Sequence, residues 1–399
     1  MVALALLCCA TGALAGGDAP RGIAIVCDKV LTVDGEDRVF APGSVWIEDG
    51  RIAYVGAPRE LPPGYEQVAL DGWAAPGLVD LHTHIHTGGW GDINDMCRSV
   101  NPELRSSPAL RPANRQLEIA CAGGVTTLFG IPGSGTNMSG FGVLYKARTS
   151  GGFDKAVMAR TGGLKIAQDS NPQGRAGNFA FGNNRASMSW ALADVCDRAL
   201  GAIREGRFDP ALEDLKKVLR RELPVLIHTA GSEGVVNTAR MWKLEYDTRC
   251  VVSHGSFDGW KAARALAEWG VAVNHGPRTV DFFSSRNGRV NGSSAEYVAA
   301  GVPIFSLNTD SGVIPEEEFF LQGSMSARYG ADPYLMLRAV TINPARIFGI
   351  DDRVGSLEVG KDADVVVYSG DPLDPRSRVE RVWIDGDVQY ERERGRQRF

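Results

Sequence analysis

Apolar and polar positions follow two different rhythms along this chain. Near both ends the apolar runs are short and turn on Asp-Gly. Val45-Trp46-Ile47 and Ile52-Ala53-Tyr54-Val55 flank Asp49-Gly50, and Val382-Trp383-Ile384 and Val388-Gln389-Tyr390 flank Asp385-Gly386. Asp-Gly between apolar runs signals a hairpin, because a tight two-residue turn needs φ > 0 at both positions. Two such hairpins predict one small sheet assembled from both termini, with Trp46 and Trp383 in a common core.

Between Trp73 and Ile350 the rhythm changes. Short apolar runs alternate with longer stretches of helical period: Ser189–Ile203, Leu212–Arg221, Gly259–Trp269 and Asp332–Ala339. The strand candidates are Leu78–Leu81, Val125–Phe129, Gly142–Tyr145, Leu164–Ala167, Val225–Ile227, Val251–Val252, Val271–Val273 and Val302–Leu307. Eight candidates in this span suit an α/β fold of the (β/α)8 TIM-barrel type, with a parallel sheet. An open doubly wound sheet is the alternative, but no glycine fingerprint follows the first strand. The glycines from Gly130 to Gly142 lack a following Lys-Ser or Lys-Thr, so they read as a mobile loop at the barrel mouth rather than a phosphate cradle.

All six histidines stand at the C-terminal end of a predicted strand. His82, His84 and His86 follow the first, His228 the fifth, His254 the sixth and His275 the seventh. In a parallel barrel these ends meet at one mouth. Residues two apart on a strand share a side, so His82 and His84 can present two imidazoles to one ion. The pair is also found in ordinary strands; the constellation gives it weight. Asp310, closing the last apolar run, supplies a carboxylate, with a helix cap as its other reading.

Composition narrows the partners. In 399 residues, 44% hydrophobic and 23% charged with a net charge of −5, no basic stripe exists to neutralise phosphates, so nucleic acid is excluded as an expected partner. A small-molecule substrate is expected, and a homo-oligomer is left open. Residues 1–15 are uncharged, largely apolar and end Ala13-Leu14-Ala15, which reads as a signal peptide too short for a membrane span. A periplasmic or secreted location follows; without a signal, the protein is cytoplasmic. Seven dispersed cysteines give no disulfide framework.

The run Ala75-Pro76-Gly77-Leu78-Val79-Asp80-Leu81-His82-Thr83-His84 resembles the entry strand of the amidohydrolase superfamily, in its imidazolonepropionase-like branch. Gly123-Gly124-Val125-Thr126-Thr127, Thr341-Ile342-Asn343-Pro344-Ala345-Arg346 and the stretch Gly355 to Val367 extend the likeness in family order. The resemblance implies a barrel over 75–350 set into a small β-sandwich of 21–74 and 351–394. It implies one or two divalent ions, zinc first among them, held by His82, His84, His228, His254 and Asp310. Asp310 doubles as general base, and His254 holds the carbonyl oxygen if it is not a ligand. Two-metal members bridge their ions with a carboxylated lysine. Lys165 is the candidate and Lys146 its rival, with a solvent-facing lysine the plain alternative. Asp80 would orient an imidazole or make a core hydrogen bond.

The activity implied is hydrolysis of an amide, cyclic amide or dipeptide, with phosphotriester or lactone hydrolysis and deamination as alternatives, and a catalytically silent ligand-binding barrel as the different class. Deaminating relatives place a glutamate three residues beyond the fifth-strand histidine, where this chain has Gly231 and then Glu233. Gln168-Asp169-Ser170-Asn171-Pro172 and Gly255-Ser256-Phe257 also depart from the relatives. Arg175 and Arg185 are candidates to clamp a substrate carboxylate through the guanidinium fork.

Overall fold

The structure, a computed structural model, describes residues 21–174, 182–281 and 290–395. The expected leader and Arg175 lie outside these residues.

Residues from both ends of the chain form one sheet. Its order from one edge is Asp387–Glu391, Val379–Ile384, Val365–Tyr368, Tyr65–Pro76, Gly22–Leu31, Gly43–Glu48 and Arg51–Gly56. Both Asp-Gly pairs form the predicted turns, with Asp49 and Gly50 at φ 50° and 74°, and Asp385 and Gly386 at φ 51° and 78°. The two turns abut. A Cβ on Gly386 would come within 3.0 Å of the Gly50 Cα, and one on Gly50 within 2.8 Å of the Asp385 carbonyl.

The shared core contains Ile25, Val45, Ile47, Ile52, Val365, Val367 and Trp383. Trp46 is not in it. Alternation along the strand turns Trp46 away from Val45 and Ile47, and it packs instead against Tyr54 and Tyr65. The common core expected for the two tryptophans is therefore corrected.

The second sheet is the barrel. Its eight strands run in chain order: Leu78–Thr83, Val125–Gly130, Met138–Lys146, Val157–Ala167, Pro224–Ala230, Arg249–Ser256, Ala272–His275 and Phe305–Leu307. The ring closes where Thr83 bridges Ser311 in parallel and the His84 amide donates to the Ser311 carbonyl at 2.6 Å. That closure excludes the open doubly wound sheet.

One strand departs from expectation. The third, Met138–Lys146, is antiparallel to both neighbours. The loop 131–137 before it is too short to carry a crossover helix, so the chain can only return alongside itself. This also overturns the mobile mouth loop: residues 130–146 are buried throughout, and a Cβ on Gly142 would lie 2.5 Å from the Phe129 ring. The reversal carries Lys146 to the start of the second strand, where it pairs in register with Thr127, while Lys165 pairs with Leu226 two positions before His228.

Candidate metal centre

At the mouth the strand ends bring together residues far apart in sequence. Ligand atoms of His82, His254 and Asp310 all lie within 4.8 Å of one another. Asp310 Oδ1 is 3.3 Å from His82 Nε2 and 3.2 Å from His84 Nε2. The His82 and His254 ring centroids are 4.3 Å apart, and those of His254 and His228 4.5 Å.

Carbonyl oxygens only accept, so they fix which ring nitrogen carries the proton. His84 Nδ1–H donates to the Ile131 carbonyl at 2.9 Å, and His254 Nδ1–H to the Gly276 carbonyl at 2.8 Å. Each turns Nε2 toward the centre, where His254 Nε2 has no partner among the described residues and His84 Nε2 lies 3.2 Å from Asp310 Oδ1. His82 is held by Ser253 Oγ, 2.6 Å from its Nδ1, and its Nε2 lies 2.9 Å from Lys165 Nζ. Burial, reinforced by neighbouring cationic groups, holds His82 and His228 well below the usual imidazole range. Burial also brings His254 down to about 4. Burial would raise the Asp310 carboxyl, but His82 and His254 hold it well below the usual carboxylate range. The centre is thus one carboxylate among imidazoles, of which His82, His228 and His254 are held neutral near pH 7.

Buried polar atoms ordinarily find partners. Both ring nitrogens of His228 and Nε2 of His254 have none among the described residues. Orphaned imidazole lone pairs beside a carboxylate form the donor set of a divalent cation, and the residues fit one.

Lys165 is fully buried, with no carboxylate at ion-pair distance among the described residues, and burial brings its amine down to about 7. Lys146 is corrected: its ammonium lies 2.7 Å from Asp364, 3.0 Å from Asp362 and 3.4 Å from Asp385. The reversed third strand puts it at the other end of the barrel. Among the described residues Asp80 makes no hydrogen bond to an imidazole ring. Its carboxylate accepts from the backbone N–H of His82 at 2.8 Å and from the N–H and hydroxyl of Thr309 at 2.9 and 2.6 Å, tying the first strand to the segment that carries Asp310.

Arg185 does not offer a free fork. It pairs with Asp169 at 3.2 Å and Glu233 at 3.3 Å. It lines a cavity of about 570 Å³ beside the helices Arg185–Arg204 and Ser232–Ala239, to which none of the histidines contributes. The cavity that opens on the centre, about 280 Å³, contains His84 and Asp310 with Asn94, Ser134, Asn171 and Val313, and no arginine or lysine lines it among the described residues. His86 lies on the turn Ile85–Thr87, buried, its ring nitrogens without hydrogen bonds among the described residues. His275 lies outside the cluster, both its nitrogens engaged. Sequence reading missed Ser253, the Ile131 and Gly276 carbonyls, and the pocket residues Asn94 and Ser134. Loop and backbone partners leave no motif; only Ser253, next to His254, carried a positional hint.

A barrel with an imidazole and carboxylate cluster at its strand ends defines a metal-dependent hydrolase. The Amidohydrolase family model matches residues 209–390. A crystal structure of an amidohydrolase from Thermotoga maritima superposes with a TM-score of 0.82 at 30% identity, covering 93% of this chain and 100% of that one. Imidazolonepropionases of Mesorhizobium japonicum and Aromatoleum aromaticum are 25% and 28% identical, covering 83% and 82% of this chain and 87% and 86% of theirs. Amidohydrolase tasK of Hapsidospora irregularis is 25% identical over 79% of this chain, which spans only 36% of that protein's length. The chain belongs to the amidohydrolase family, in its imidazolonepropionase-like branch. The chain is a metal-dependent hydrolase acting on carbon–nitrogen bonds outside ordinary peptide links. Among the described residues no helix is long and apolar enough to cross a membrane.

Proposed function

We propose that the chain hydrolyses a small amide, cyclic amide or dipeptide with one or two divalent cations, zinc first among them. His82, His84, His228, His254 and Asp310 serve as ligands. The observation that carries this reading is the meeting of His82, His254 and Asp310 within 4.8 Å beside buried imidazole nitrogens that lack any other partner among the described residues. A bound divalent cation supplies an acidified water and polarises the scissile carbonyl.

The rest is work for the side chains. Asp310 accepts the water proton and returns it to the leaving nitrogen. His254, its N–H spent on the Gly276 carbonyl, turns a bare Nε2 to the centre and so serves as a ligand, not as a donor to the carbonyl oxygen. Lys165, its amine brought down to about 7 by burial, adds through Nζ to carbon dioxide: the N–C bond forms as one C=O π bond breaks onto oxygen, the nitrogen's proton passes to water, and the carbamate would supply an anionic ligand where two cations bind. Ser253 and the Ile131 and Gly276 carbonyls hold the imidazoles in place.

One feature speaks against deamination. The position where deaminating relatives carry their glutamate is Gly231, and the acid that follows it, Glu233, is 84% exposed and paired with Arg185.

The test is a panel of simple amides, lactams, N-acyl amino acids and Xaa-Pro dipeptides, assayed with and without chelator. Chelator-sensitive hydrolysis of at least one class in the panel is expected. A metal-loaded protein that turns over nothing in the panel would favour the silent binding barrel.

A further inference from the structure

The sixth barrel strand breaks its ladder at His254. His254 and Gly255 are both left-handed, at φ 78° and 55°. Pairing with the fifth strand slips at the same place, so that Thr229 faces His254 but Ala230 faces Ser256. Two consecutive left-handed residues make a bulge, which bends the strand and turns carbonyls out of the ladder. A left-handed histidine is strained, and such strain persists only where the surroundings over-determine it.

Here the surroundings are specific. His275 Nδ1–H donates to the His254 carbonyl at 2.6 Å, and the Tyr297 hydroxyl donates to the Gly255 carbonyl at 2.8 Å. Both displaced carbonyls are therefore satisfied inside the protein. The helix Ser293–Ala299 supports both donors. Ser293 donates its hydroxyl to His275 Nε2 at 2.9 Å, and Tyr297 sits one turn further on with its ring 5.2 Å from the His275 ring. With Nδ1–H donating to a carbonyl and Nε2 accepting from Ser293, His275 has no lone pair left for a cation. Gly276, the next residue, takes the His254 Nδ1 proton on its own carbonyl.

We infer that His275 and Tyr297 are positioning residues for His254, holding the bulge that aims its Nε2 at His82 and Asp310. The inference rests on the reading of His254 as a ligand. Without the His275 donor the His254 carbonyl is orphaned, the backbone relaxes toward the ordinary ladder, and the imidazole swings off the centre.

The experiment compares His275→Ala, His275→Asn and Tyr297→Phe in the full chain, using zinc affinity, the visible spectrum of the cobalt-loaded protein, and a crystal structure of each metal-free variant. His275→Ala should lose about tenfold or more in zinc affinity, alter the cobalt spectrum and show a displaced His254 ring. His275→Asn, which keeps an N–H donor at nearly the Nδ1 position, should recover most of the loss. Tyr297→Phe should show a smaller loss with its melting temperature nearly unchanged. A folded His275→Ala with an unmoved His254 ring and wild-type zinc affinity overturns the inference. If His275→Ala does not fold, Tyr297→Phe decides, unchanged affinity counting against. If the wild type binds no zinc or cobalt, the functional reading fails while the metal-free structures still judge the positioning role.

Discussion

Two buried lysines sit on neighbouring barrel strands and face opposite chemistry. Lys146 is ringed by Asp362, Asp364 and Asp385, and Asp362 is further paired with Arg51 and Arg353. Burial alone would lower its pKa, but Asp364, Asp385 and Asp362 raise it above the usual lysine value. Lys165 is just as buried, yet its nearest polar neighbour is an imidazole, and burial lowers it to about 7. One lysine is locked as a cation that joins barrel to terminal sheet; the other is free to become a neutral nucleophile or a carbamate. Burial does not choose between these fates. The sign of the surrounding charge does, and strand direction sets which surroundings each lysine meets.

The largest effect expected at the Lys165 end belongs to Asp310. Asp310→Asn should lower kcat by about 10²–10⁴-fold with metal still bound, measured by steady-state kinetics and elemental analysis. At the other end, Lys146→Met takes the ammonium from buried Asp362 and Asp364 and half-buried Asp385, leaving Asp364 with no cation at ion-pair distance among the described residues, and should cost about 3–5 kcal/mol in urea unfolding. The folded fraction should keep wild-type metal affinity.

Lys165→Met sharpens the contrast, because removing this lysine should stabilise the metal-free protein. Its pKa is about 7 in the folded protein, against the ordinary lysine value of 10.5 once the chain unfolds, so the unfolded chain binds the additional proton between those pH values. Wild-type stability is therefore penalised in full below pH 7 and recovers as pH rises toward 10.5. The variant's advantage should be on the order of a few kcal/mol at about pH 6 and fade by about pH 10, read from chemical denaturation in carbonate-free buffer. An advantage that grows with pH would contradict the assignment. The smallest effect is expected for Arg185→Ala, whose partly exposed ion pairs are worth about 1 kcal/mol or less. KM should be unchanged if Arg185 ties Asp169 to Glu233 instead of gripping substrate.

The sequence made the strand-end histidines legible as neighbours, because a barrel converts short apolar runs ending in His into one constellation. The Asp-Gly turns were equally readable, since their backbone demands are local. The third strand was not. Its apolar run says strand, but direction depends on what the preceding loop can span, and that misplacement made Lys146 look like a rival to Lys165. The groups that orient the imidazoles were hidden for a related reason: Ser253, the Ile131 and Gly276 carbonyls, and His275 act through backbone geometry that residue types do not announce.

The central claim is that His82, His254 and their neighbours meet around a cation. Elemental analysis of the purified wild type and of the double variant His82→Ala/His254→Ala tests it most directly. About one to two equivalents of a divalent metal per chain in the wild type, and almost none in a folded double variant, is the predicted result. A wild type that stays metal-free after incubation with zinc, manganese and cobalt, or a double variant that keeps its full complement, would contradict it.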